Sequence, residues 1–248
     1  MKIWSKIKKG TNLKNYDPYQ KFSNKIWLKK LKKKILENYK SLNNNVIKSN
    51  YFISSSPLPF ILINFNKNNI KICDFGAGSL ESYFQVLILN KKKKIEIDIV
   101  EVPGVIKLYK RLKKFLKDKK NIKLNFYSKI PKKKYDILHI SDSLQYVEKW
   151  ENFITDLTKL RPKFIILNNL TAGLIKEYNT YQNFYNEKIF YKFFNIKKVI
   201  SLFNDYNLEF ASPYLNLIKG KYTEYPQPNF KLKDRLGYPC TLIFKLKN

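Results

Sequence analysis

Short β-rich runs alternate with helical stretches from Ile70 to Leu167, a Gly-x-Gly turn follows the first of those strands, and an acid closes the second. These three features predict an α/β fold, a doubly wound and mostly parallel sheet joined by right-handed helical crossovers. The 248-residue chain is long enough for it, and 44% hydrophobic with 16% aromatic residues supplies a substantial core.

The elements follow in order. Asp17-Pro18 reads as a helix start, an N-cap acceptor before a proline at the first helical position. Leu28, Leu31, Ile35, Tyr39 and Leu42 then share one stripe, with Lys25, Lys29, Lys30, Lys33 and Lys34 largely outside it, until Asn43-Asn44-Asn45 ends the helix. Such a helix either covers the core edge with a solvated lysine face or lies on an anionic membrane surface. The pattern leaves both readings open. After Ser54-Ser55-Ser56-Pro57 a short helix is expected over Leu58 to Phe65, so residues 1–65 form an N-terminal helical extension.

The α/β domain, residues 66–248, begins with a strand at Ile70–Cys73, a helix at Ser79–Asn90 and a strand at Lys94–Val100. A helix at Val105–Lys117, strands at Ile122–Phe126 and Tyr135–Ile140, a helix at Trp150–Leu160 and a strand at Phe164–Leu167 continue the alternation. The last third is less regular. It holds an aromatic, polar stretch around Tyr178 to Phe194, a helix from Asn195 to Tyr206, a strand near Leu208 to Ala211 and a closing strand at Thr241–Leu246. Residues 171–206 are a candidate lid or acceptor region.

Composition removes several classes of function. Lys and Arg total 49 against 19 Asp and Glu, a net charge of +30 that ordinarily suggests a polyanionic partner. Yet only Arg111, Arg161 and Arg235 are arginines, while the chain has 27 asparagines and three alanines, a usage that points to AT-rich coding behind much of the charge. Scarce arginine also disfavours nucleic acid, because its planar fork is the preferred reader of phosphate and guanine. Two cysteines, Cys73 and Cys240, and one histidine, His139, exclude a disulfide framework and leave no metal site. His139 lies inside the apolar run Ile137–Ile140 and is expected to be a satisfied core residue, and Cys73 a small hydrophobe. No secretory signal or membrane-length apolar run is present, so a cytoplasmic location is expected.

In open α/β sheets ligands bind beyond the carboxyl ends of the strands. Asp74-Phe75-Gly76-Ala77-Gly78-Ser79-Leu80 occupies that place after the first strand. Its glycines permit a tight turn and a close approach to a ligand. A dinucleotide fingerprint requires a third glycine where Glu81 stands, so the pyrophosphate version fails. Asp74, immediately before the turn, would repel a diphosphate but suits a ligand carrying an ammonium and a sulfonium, as S-adenosylmethionine does. Glu101 ends the second strand, where an acid can accept both ribose hydroxyls; capping the next helix is the simpler alternative.

The run Asp74 to Phe84, then Val100-Glu101-Val102-Pro103-Gly104-Val105, then Ser141-Asp142-Ser143-Leu144-Gln145-Tyr146, resembles a bacterial family of class I S-adenosylmethionine-dependent methyltransferases associated with cell-surface polysaccharide gene clusters. The resemblance covers about Ile70 to Leu170 in motif order and spacing. It departs from the family pattern at Leu80 and Asp142, each in place of a glycine, and at Glu81, in place of a serine. What it implies is a Rossmann-like fold and S-adenosylmethionine as cofactor. Asp74 and the turn Gly76, Ala77, Gly78 would hold the methionine end and Glu101 the ribose, with Ser141 and Ser143 beside the sulfonium. Asp142 is then a candidate general base, with a turn cap as the plainer role, and Tyr146 a candidate wall of the acceptor pocket. The acceptor class it implies is a small molecule or a glycan. An RNA methyltransferase and an inactive Rossmann-like binding module are the competing expectations. Asn168-Asn169 follows the wrong strand for an amino-methylating motif, and the aromatics of 178–194 suit ring stacking or packing equally.

Overall fold

The computed structural model describes residues 4–6, 21–43, 56–90, 92–113, 115–116, 121–213, 216–218, 221–223 and 227–248. Seven strands form the central sheet: β2 (Asn69–Phe75), β3 (Lys94–Val100), β4 (Ile122–Tyr127), β5 (Ile137–Ser141), β6 (Phe164–Leu170), β10 (Tyr206–Pro213) and β13 (Cys240–Leu246). Their order is β10-β13-β6-β5-β2-β3-β4. The five strands from β6 to β4 run parallel, while β13 is antiparallel to both its neighbours, so the mixed edge lies at one side. The chain leaves β2 toward β3 and β4, then returns to place β5 on the other flank of β2. That reversal is the topological switch point, and β2 and β5 open a crevice beyond their carboxyl ends.

Alternating side chains build a core on each face. Ile70 and Ile72 of β2 with Ile95, Ile97 and Ile99 of β3 meet helices α1 (Lys25–Asn43), α2 (Leu58–Ile63), α3 (Glu81–Leu89) and α4 (Pro103–Arg111) on the first face. Leu138 and Ile140 of β5 and Leu167 of β6 meet α5 (Trp150–Thr158) and α6 (Ile196–Ser201) on the second. The apolar stripe of α1 belongs to the first core: Leu31 and Ile35 are buried, and Leu28 and Tyr39 pack against them. That stripe packs on α3 and α4, as the core-covering reading expects, and Lys25, Lys29, Lys30, Lys33 and Lys34 stay exposed on the other side. The side chain of Asn24 caps α1, accepting from the Ile26 and Trp27 N–H groups at 2.8 and 3.3 Å. The start expected at Asp17-Pro18 lies outside the described residues.

One crossover carries no helix. Between β4 and β5 the second face is covered by the loop 128–136, whose Lys133 and Tyr135 reach down to Glu96 and Asp98 on β3. Asp98, 0% exposed, accepts from Asn125 at 2.8 Å and from Tyr135 at 2.8 Å, and pairs with Lys133 at 2.6 Å. Lys133 also pairs with Glu96 at 3.0 Å. A buried carboxylate is tolerable only when paired and hydrogen-bonded, and this loop meets both conditions.

A second, four-stranded sheet has the order β1-β8-β9-β7, from β1 (Trp4–Lys6), β7 (Ala172–Gly173), β8 (Tyr178–Phe184) and β9 (Glu187–Asn195). The aromatic stretch is therefore a hairpin, with Tyr191, Phe193 and Trp4 in a small core of their own. Two expectations change here. Part of the N-terminal extension is a strand, with Trp4 opposite Gln182, and the helix expected over Asn195–Tyr206 spans only Ile196–Ser201. A two-stranded hairpin, β11 (Asn216–Ile218) with β12 (Lys221–Thr223), interrupts the expected link before β13. Among the described residues no helix is long and apolar enough to cross a membrane.

Candidate functional site

A cleft of about 1600 Å³ opens over the carboxyl ends of β2, β3 and β5, and the glycine turn forms its floor. Gly76 has φ +74°, a conformation costly to any residue with a side chain. A Cβ added there would also stand 2.7 Å from Ser143 Oγ and nearer still to Ser143 Cβ, so the loop after β5 rests on this glycine. Ser143 fixes that contact by donating to the Phe75 carbonyl at 2.9 Å. Gly78, with φ +51°, is different: a Cβ there would meet only the Gly76 carbonyl at 3.9 Å, leaving open space above the turn.

Leu80 and Asp142, which stand where the resembled family has glycine, both take left-handed backbone, with φ 62° and 50°. The substitutions keep the conformation glycine favours. Leu80 offsets that strain with a fully buried side chain in the first core. Asp is among the few residues that accept this geometry with little penalty, and Asp142 takes a hydrogen bond from Gln145 Nε2.

Glu101 lies opposite the turn. Its two oxygens accept from the Gly78 and Val102 N–H groups, each at 2.9 Å. It therefore closes the turn and steadies the chain's entry to α4, and each oxygen keeps a further lone pair for a ligand hydroxyl. Burial pushes its carboxyl up to about 7, the two N–H bonds pull the other way, and the nearby Asp74 adds to the rise. Tyr109, fully buried, donates to the Gly78 carbonyl at 2.5 Å and completes the support of the turn.

Asp74 also lines the cleft, and its Oδ1 is 2.7 Å from His139 Nδ1. The pair arises from the register, which sets Asp74 beside His139 on adjacent parallel strands. The other ring nitrogen of His139 lies 2.6 Å from Ser56 Oγ, so this histidine is a satisfied interior residue as the sequence suggested.

Asp142 opens onto the cleft, with the surrounding walls pushing its carboxyl up to about 7. Gln145 and Lys34 lower it and Glu81 raises it, in smaller measure. Ser141 accepts from Asn168 Nδ2 at 3.1 Å, and Asn168 in turn accepts from Thr241 at 2.8 Å. Both Asn168 and Asn169, inside β6, line the cleft, although no motif in the sequence placed them there. Tyr146 contributes a ring to the wall while its hydroxyl donates to Gln182 on β8 at 2.8 Å.

Several cleft residues carried no sequence signal. Phe22 and Trp27, before and within the start of α1, meet Phe184 of the β8–β9 hairpin at 5.4 and 5.1 Å between ring centroids, and Phe22 also meets Tyr146 at 4.9 Å. Lys21 pairs with Glu187 at 3.1 Å across the same seam, and Lys34 of α1 pairs with Glu81. The contacts of Lys21, Phe22 and Trp27 with the hairpin join segments more than 150 residues apart, which no local pattern announces. They give the cleft an aromatic wall on the Asp142 side.

No protein-family model matches the chain, and no curated protein does. Among solved structures it is similar to an S-adenosylmethionine-dependent methyltransferase from Clostridium acetobutylicum, with TM-score 0.50, 10% identity, and 87% of this chain and 99% of that one covered. It is also similar to the Burkholderia thailandensis 1,6-didemethyltoxoflavin-N1-methyltransferase, solved with bound 1,6-didemethyltoxoflavin and S-adenosylhomocysteine, with TM-score 0.51, 10% identity, and 99% and 95% covered. At that identity the likeness is one of fold: the mixed α/β sheet is the one these enzymes use.

Proposed function

We propose that this chain is an S-adenosylmethionine-dependent methyltransferase acting on a small acceptor. One observation carries the reading: two acids, Asp74 and Glu101, stand at the ends of adjacent parallel strands on either side of a glycine turn with open space above it. An acidic pair fits a ligand that offers an ammonium and a ribose diol, and it opposes a pyrophosphate. Asp74 would hold the ammonium, the backbone of Gly76, Ala77 and Gly78 would lie along the methionine chain, and Glu101 would accept the ribose hydroxyls. Ser141 and Ser143 would border the sulfonium from the β5 side. When bound, this cofactor supplies an electrophilic methyl group with a good leaving group.

The chain's own residues then have three tasks. The turn and the loop after β5, locked together at Gly76 and Ser143, fix the line along which a nucleophile approaches, and such alignment is worth up to about 7–11 kcal/mol. Asp142, titrating near neutrality, takes the proton of an acceptor hydroxyl or amine. The wall of Phe22, Trp27, Tyr146 and Phe184 excludes water and packs against the acceptor's apolar face. The glycan acceptor implied by the resemblance suits this wall, since a sugar ring presents an apolar face and a rim of hydroxyls.

Calorimetry with S-adenosylmethionine and S-adenosylhomocysteine tests the reading. Binding of both in the micromolar range is expected, with methyl incorporation into a small acceptor. Absence of binding for both would refute it and leave a non-enzymatic binding module.

A further inference from the structure

We infer that His139 is the positioning residue for Asp74, the carboxylate that would hold the cofactor's ammonium, through a buried relay Ser56–His139–Asp74 built into the first face of the sheet. The inference rests on the methyltransferase reading and goes beyond it, since it concerns how Asp74 is aimed. His139 is 0% exposed and Asp74 2%. Contacts of 2.6 Å to Ser56 and 2.7 Å to Asp74 engage both ring nitrogens. A carboxylate facing a nitrogen at that distance accepts, so Nδ1 carries the proton, and in the neutral ring Nε2 then accepts from the Ser56 hydroxyl. Ser56 Oγ in turn accepts the Leu58 N–H at 3.2 Å, anchoring the chain to the head of α2. Every donor in the line points toward Asp74.

The geometry has a consequence for the ligand. With Oδ1 committed to His139, rotation of the Asp74 side chain is blocked, and its other oxygen is the one left for the cleft. An ammonium bound there meets a carboxylate already held in place, so the ordering cost falls on folding and not on binding. The same three groups in the same order activate the hydroxyl of serine hydrolases. Here the serine oxygen is already an acceptor for the Leu58 backbone, and the glycine turn that would receive a ligand lies at the carboxylate end. The relay therefore orients an acid and activates no nucleophile.

His139 is the only histidine in the chain, so ¹⁵N-histidine labelling reports on this ring alone. The free protein is expected to show a protonated Nδ1 and a bare Nε2, with the Nδ1 proton protected from exchange. A ring protonated on Nε2 alone would overturn the inference, and so would labelling of Ser56 by a fluorophosphonate. His139→Asn keeps a donor at the Nδ1 position and is expected to bind S-adenosylhomocysteine within about threefold of wild type. His139→Phe removes the donor and is expected to lose about tenfold or more in affinity, the scale of one hydrogen bond to a charged group. Equal losses in the two variants, or wild-type affinity in a folded His139→Phe protein, would overturn it. Should His139→Phe fail to fold, Ser56→Ala provides the second arm: without its hydroxyl the single-tautomer signature is expected to blur, and an unchanged spectrum would count against the relay. If wild-type protein binds no S-adenosylhomocysteine, the methyltransferase reading fails, while the tautomer of the free protein still decides whether the relay exists.

Discussion

Replacing Glu101 with Gln tests the cofactor end of the cleft most directly. The amide keeps the shape of the side chain but turns one acceptor into a donor, so either Gly78 N–H or Val102 N–H loses a partner now 2.9 Å away. The same exchange takes an acceptor from a ribose hydroxyl, and losing one such charge-assisted bond costs about 1.5–3 kcal/mol, roughly ten- to hundredfold in S-adenosylhomocysteine affinity. The pH dependence is the sharper signature. With the carboxyl at about 7 in the free protein, roughly a tenth of it is ionised at pH 6 and nine tenths at pH 8. Ribose hydroxyls donate to the ionised form, so calorimetric affinity of wild type is expected to rise about tenfold across that interval and to stay flat in Glu101→Gln. Stability moves the opposite way. A carboxyl raised by folding contributes stability that is complete below its ordinary value of 4.5 and is lost as pH climbs through 7. Wild type should therefore weaken between pH 5 and 8 relative to Glu101→Gln, by at most about 3 kcal/mol and less where the cleft admits water. A flat affinity profile for wild type, or the same slope in the variant, would refute this account of Glu101.

Other expectations concern the base, the turn and the loop over Asp98. Asp142→Asn is expected to lower turnover sharply while leaving S-adenosylhomocysteine affinity unchanged, as comparison of single-turnover rate with calorimetry will show. Gly76→Ala should abolish binding and destabilise the fold in urea titrations, with Ser143→Gly recovering only the part due to the Ser143 clash and not the part due to φ. Leu80→Ala should cost about 2–5 kcal/mol by emptying a buried site, and Leu80→Gly should be milder by about 1 kcal/mol, a reversal of the usual helical order that follows from φ 62°. Lys133→Met should destabilise by about 3 kcal/mol because it strands Asp98, and the double variant Lys133→Met, Asp98→Asn should lose less than the sum of the two.

What could be read in the sequence was local and periodic. The alternation from β2 to β6 predicted the parallel sheet because its strands are β-branched runs and its helices carry apolar stripes. Asp74, Gly76, Gly78 and Glu101 come together because strand ends in such a sheet share one edge. The departures at Leu80 and Asp142 were visible as well, and the backbone explains both. What could not be read depends on register and on distant pairing. His139 looked like a core residue and is one, but only the alignment of β5 with β2 reveals Asp74 as its partner. The hairpin β8–β9 was hidden because aromatic and polar residues there follow no single alternation, one face carrying Tyr191 and Phe193 of its own small core and the other bringing Phe194 to the second core. Strand β1, three residues long, is defined by its pairing with β8 and by nothing in its own composition.

That pairing opposes the order of synthesis to the order of completion. Trp4 and Ser5 are made well before their partners: Ser5 finds its acceptor role only when Thr180 exists, and the Trp4 carbonyl waits for Asn229. At about 5–20 residues per second the wait for the hairpin is roughly 10–35 s, long enough for the whole run from β2 to β6 to emerge and pair. Phe22 and Trp27 reach Phe184 on the same schedule. During biosynthesis the cofactor end of the cleft can thus be assembled while its aromatic wall is still missing, and strand β1 is put in place only after the sheet it precedes in the chain.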